Sequence, residues 1–96
     1  MKNKQDYQND FNIIQKLINE FDPCDLINFG APKNEYDSLT YQILSALYQN
    51  KTKEKLKEII FFEIEVSYGV DIKENELINQ ELEKLIHLLL STIQTS

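Results

Sequence analysis

Ninety-six residues with a hydrophobic content of 42 % fit one globular domain, residues 1–96, and not a disordered chain. Ten basic residues against sixteen acidic ones leave a formal charge of −6, and every base is lysine. An acidic chain without arginine, the residue suited to forked recognition of phosphate and base edges, is not expected to bind nucleic acid. A single cysteine cannot close an internal disulfide, and the N-terminal MKNKQDYQND has no apolar run. The apolar stretches also fall short of the about 20 residues that span a bilayer, so the expected setting is cytoplasmic and away from membranes.

Tyr7, Phe11, Ile14, Ile18 and Phe21 recur at alternating spacings of four and three, one stripe of a first helix that Ile13 and Leu17 widen. This helix should stop where Asp22-Pro23 begins, because the residue before proline avoids helical geometry. Asp22 then suits the N-cap of a short helix over residues 23–28, with Pro23 at its first position and Asp25 near its positive end. Phe21 and Leu26 stand where a hydrophobic staple would put them, and Gly30 suits a C-terminal cap before Ala31-Pro32.

Asn34 can cap a second main helix, with Glu35 and Asp37 in its first turn. Leu39, Ile43, Ala46 and Leu47 form its stripe, with Tyr36 and Leu44 joining, and it should fade near Asn50. Thr52 can cap a third helix that carries Leu56, Ile59, Ile60, Ile64 and Tyr68. Residues 60–68 also alternate strictly, as a strand would. No other segment supplies a partner strand, the preceding KTKEKLKE favours helix, and Gly69 is placed as a cap, so helix is the favoured reading. Residues 71–75 offer caps for a last helix with Ile78, Leu82, Leu85, Leu89 and Ile93 on one seam and Ile86 and Leu90 beside it. The expected fold is all-α, a compact bundle of four main helices plus the short one in an elbow at residues 21–37.

That elbow reads FDPCDLINFGAPKNEYD. It resembles the signature of the YugE-like family of small bacterial proteins, a domain of unknown function. The residues that carry the resemblance are Phe21, Asp22, Pro23, Leu26, Gly30, Ala31, Pro32, Glu35, Tyr36 and Asp37. The family more often has tryptophan at the Phe21 position and an acid at the Asn34 position. The resemblance covers about a fifth of the chain closely, extends to the aromatic-glycine step at Tyr68-Gly69, and implies a compact all-α domain with no established activity.

Three carboxylates, Asp22, Glu35 and Asp37, could share a proton or a cation, but each also stands where a helix start wants an acceptor. Capping is the simpler reading. Tyr36 suits either an interface or a core position with its hydroxyl on a carboxylate. Cys24 near a helix start would favour thiolate, yet the only histidine, His87, is remote in sequence and completes no catalytic pair or zinc set. Lys51, Lys53, Lys55 and Lys57 form the one basic cluster, read as a solvated turn.

Phe61, Phe62 and Val66 are surplus to one stripe and suggest that the third helix is surrounded. For Leu88 and Leu90, burial and a dimer or partner contact stand level. No cofactor is expected. The functional class favoured is a non-enzymatic protein-interaction module meeting a basic partner through Glu20, Asp22, Asp25, Glu35, Tyr36 and Asp37, and an immunity or antitoxin role is one that would use such a surface. The alternatives are a small enzyme or metal-dependent site on Asp22, Glu35 and Asp37, or a structural homodimer through the last helix.

Overall fold

The apolar stripes become four helices in the computed structural model, which describes residues 3–23, 25–70 and 72–93. These are α1 (Lys4–Phe21), α2 (Asp37–Tyr48), α3 (Lys53–Tyr68) and α4 (Glu76–Ile93). Each packs on its neighbour in the chain, and α4 closes the ring against α1. One hydrophobic cluster runs through all four, including Ile14 and Ile18 from α1, Ile43 and Leu47 from α2, Leu56 and Ile60 from α3, and Leu82 and Ile86 from α4. The radius of gyration, 12.9 Å, matches the about 13 Å of a folded domain of this length.

Local chemistry explains the helix ends. Asn3 and Asp6 form a capping box at the start of α1, each side chain taking the other's backbone N–H. The Oγ1 of Thr52 accepts the N–H of Lys55 at 3.2 Å, and Gly69, at φ 68°, closes α3 in the left-handed region. Asn75 caps α4 by accepting the N–H of Ile78 at 3.0 Å. Cys24 and Asp71 lie outside the described residues.

Three expectations need correction. The described residues of 23–28 do not form a helix: Asp22 (φ 47°) and Asp25 (φ 60°) both turn left-handed, which no helix passes through. Only one helical turn survives, where the Phe29 N–H reaches the Asp25 carbonyl. The second main helix starts at Asp37 rather than just after Asn34, because residues 32–37 close two tight turns first, Glu35 N–H to Pro32 O and Asp37 N–H to Asn34 O. Finally, α3 is a corner of the ring and not its centre, so Phe62 and Val66 remain 63 % and 65 % exposed while Phe61 packs partly on the core. On α4, Leu90 likewise packs on the core and Leu88 faces outward. Residues 60–68, the contested stretch, are helical throughout.

The α1–α2 pair is antiparallel. Gln15 meets Asp37, Phe11 meets Tyr41 and Asp10 meets Tyr48, descending one helix while ascending the other. The Tyr48 hydroxyl donates to the buried Asp10 carboxylate at 2.6 Å. Burial, and then the carboxylate beside it, hold the Tyr48 phenol well above the usual tyrosine value of 10.0. A raised folded-state value means that the folded state keeps its proton where the unfolded chain would lose it. The stabilisation is therefore complete below about pH 10 and lost as the pH climbs beyond it. Alkaline melts should show a steeper fall in stability above pH 10 for the wild type than for Tyr48→Phe; parallel curves would show that this phenol is not the cause.

Candidate functional site

The elbow, residues 22–36, is longer than the about 2–8 residues that usually join bundled helices, and it is folded around one carboxylate. Asp22 ends α1, its N–H on the Ile18 carbonyl at 2.8 Å. Its side chain then reaches forward. Oδ1 accepts the N–H of Ile27 at 3.0 Å and Oδ2 that of Asn28 at 2.9 Å, and the Leu26 N–H also points to the carboxylate. These are the first, otherwise orphaned donors of the single turn at 26–29. Asp22 is thus a cap, but for a turn that begins three residues later than the sequence suggests.

The same turn ends in a Schellman arrangement. The Ala31 N–H reaches Leu26 O at 2.9 Å, the Gly30 N–H reaches Ile27 O at 3.0 Å, and Gly30 adopts φ 100°. A β-carbon at Gly30 would meet nothing within 4 Å, so the glycine is there for its backbone angle and not for space.

Tyr36 closes the loop. Buried to 1 % exposure, it donates its hydroxyl to Asp22 Oδ1 at 2.7 Å. Of its two sequence readings, a core tyrosine anchored on a carboxylate is the one observed. Burial alone would raise the Asp22 value, but the hydrogen bonds from Tyr36 and from three backbone N–H groups outweigh it and hold the group below its ordinary 3.8. The rest of the bundle grips the elbow from two sides. Asn19 Nδ2 donates to the Lys33 carbonyl at 2.8 Å, and the Tyr68 hydroxyl donates to the Glu35 carbonyl at 2.8 Å. The rings of Tyr36 and Tyr68 stand 5.6 Å apart.

The remaining candidate acids divide by environment. Asp37 is half-buried and accepts from Gln15 Nε2 at 2.8 Å, and Glu35 is half-buried beside it in the chain. Glu20 and Asp25 are exposed. Among the described residues no three His, Cys, Asp or Glu side chains gather into a set that could hold a metal ion, so Asp22, Glu35 and Asp37 do not converge as ligands. His87 is exposed on α4. In the basic cluster, Lys53 and Lys57 both grip Glu83 of α4, at 2.6 Å and 2.5 Å, and Lys55 lies 3.7 Å from Glu58.

Sequence reasoning passed over two features. Glu63, to which the sequence reading gave no role, is buried and accepts from Ser38 Oγ at 3.0 Å, Gln42 Nε2 at 2.7 Å and Ser67 Oγ at 2.8 Å. The seam between α1 and α4 is also grooved, with Phe21 and Glu81 lining two adjoining hollows. A carboxylate on the inward side of a helical wheel was the available signal for Glu63; nothing in the spacing announces the groove. No helix among the described residues is long and apolar enough to cross a membrane. No protein-family model, curated protein or solved structure matches this chain.

Proposed function

We propose that this chain is a non-enzymatic protein-interaction module whose acidic face meets a basic partner. The observation that carries this reading is the division of labour within the elbow. Asp22 and Asp37 have internal hydrogen-bond partners, which suits a scaffold, while Glu20 and Asp25 stand exposed on the same stretch of chain. Electrostatic complementarity of this kind speeds encounter and selects partners. Membership of the YugE-like family is likewise proposed, on the elbow motif alone.

The test is affinity capture from host lysate at about 0.05 M and about 0.5 M salt, conditions that lengthen and shorten the range of exposed charges. Wild type is compared with Glu20→Lys/Asp25→Asn: Glu20 is exposed, and asparagine keeps the left-handed angle of Asp25 while removing its charge. A partner held at low salt and released both by high salt and by the double variant supports the reading. Capture indifferent to charge, or no partner at all, sinks it.

A further inference from the structure

Two adjoining hollows run along the α1–α4 seam, of about 200 and 250 Å³. The first lies between Leu17 and Phe21 of α1 and Leu85 and Leu88 of α4. The second continues past Phe21 and Pro23 to Leu77 and Ile78. Phe21 and Glu81 line both, so the two form one furrow. On α4 the positions 77, 81, 85 and 88 follow one face over three turns, about 16 Å at 1.5 Å per residue. Leu77 is 74 % exposed and Leu88 48 %, large apolar side chains at the two ends of the same furrow.

Charge distinguishes this seam from its neighbour. At the α3–α4 seam Glu83 is covered by two lysines. Among the described residues that line the α1–α4 furrow stand Glu20, Asp22, Asp25 and Glu81 with a single base, Lys84, which lies 3.7 Å from Glu81.

We infer that the α1–α4 furrow docks a basic amphipathic helix of a partner protein, its apolar stripe on Phe21, Leu77, Leu85 and Leu88 and its lysines or arginines against Glu20, Asp25 and Glu81. This rests on the interaction-module reading and names the surface and the partner's chemistry. A furrow between two helices, three turns long and apolar along its floor, accepts a helix through anchors spaced three and four residues apart. The acidic rim selects a basic occupant. It also disfavours a second copy of this chain, since a symmetric contact brings each patch against itself and so acids against acids.

The probe is a fluorescent 15-residue helical peptide with leucines at positions 2, 6, 9 and 13 and lysines beside them, as prescribed by helix-in-groove spacing of about three to four residues. Its counterpart carries glutamates in place of the lysines. Anisotropy should show binding of the lysine peptide alone, and amide shifts in the labelled protein should fall on residues 17–25 and 77–88. Leu77→Ser/Leu88→Lys, both at exposed sites, should weaken binding at least about tenfold. Glu81→Lys alone should weaken it in a salt-dependent manner, which keeps the test valid if the double variant folds poorly.

Equal binding of the glutamate peptide, shifts centred elsewhere, or no binding of the lysine peptide overturns the inference. So does sedimentation showing a dimer that Leu88→Lys dissolves, because a second copy would then cover the furrow. Charge-sensitive lysate capture together with a failed peptide test would remove the furrow and leave the module reading standing. Failure of both experiments removes both.

Discussion

Asp22→Ala is expected to lower unfolding stability by about 3 kcal/mol, a large part of what a domain of this size possesses. The substitution strips the acceptor from three backbone N–H groups and from the buried Tyr36 hydroxyl at one stroke. Hydrogen bonds to a charged acceptor contribute about 1.5–3 kcal/mol, and each donor left dry adds a penalty unless water reaches it. The backbone compounds the loss, since φ 47° suits Asp, Asn or Gly better than alanine. A melting shift of about 12–24 °C follows from that loss.

The series separates these causes. Asp22→Asn keeps the left-handed preference and one acceptor oxygen and should lose about half as much, while Tyr36→Phe should lose about 1 kcal/mol. Urea melts of the two single variants and the double variant measure the coupling between the pair. An Asp22→Ala change within about 0.5 kcal/mol of wild type would mean that the carboxylate does not hold the elbow. Acid adds a further check. A folded-state value below 3.8 means that the Asp22 contribution is complete above that pH and disappears as the pH falls through the lower, folded value.

The second large effect is expected at Glu63. Glu63→Ala should cost about 2 kcal/mol, because Gln42 and the two serines lose a shared acceptor that joins α2 to α3. Glu63→Gln is the sharper test: it conserves shape yet turns an amide donor toward a ring of donors, and should recover little of the loss. Full recovery by Gln would show that packing and not the charge holds the seam. Burial works to raise this carboxyl, but the hydrogen bonds from Gln42, Ser67 and Ser38 prevail and hold it below its ordinary 4.5. Its contribution is therefore whole above about pH 4.5 and lost in more acid solution, where the wild type should lose more stability than Glu63→Gln in matched urea melts.

The all-helical class, and the ends of α1 and α3 at Phe21, Thr52 and Gly69, were legible in the sequence. Apolar spacing, prolines, caps and glycine act within one or two turns, so a reader of the chain sees both the cause and its effect. The elbow was legible as a break with Asp22 as a cap, but the register of that cap was not. Two left-handed residues, Asp22 and Asp25, move the turn along the chain, and nothing local requires a non-glycine residue to adopt that angle. The surplus of apolar residues on α3 was visible too. Its exposure was not, because a wheel pattern cannot say whether a helix is a corner or a centre.

Tertiary structure alone decided the longer partnerships. Asp22 meets Tyr36 across 14 residues, Ser38 meets Glu63 across 25, and Asp10 meets Tyr48 across 38. It also decided which acids are spent holding the fold and which, with Leu77 and Leu88, line the furrow between α1 and α4. Sequence by itself determines what each segment can form, because dihedral preference and amphipathic periodicity are local. Which carboxylate is buried, and which apolar residue is left outside, depends on how four helices share one core.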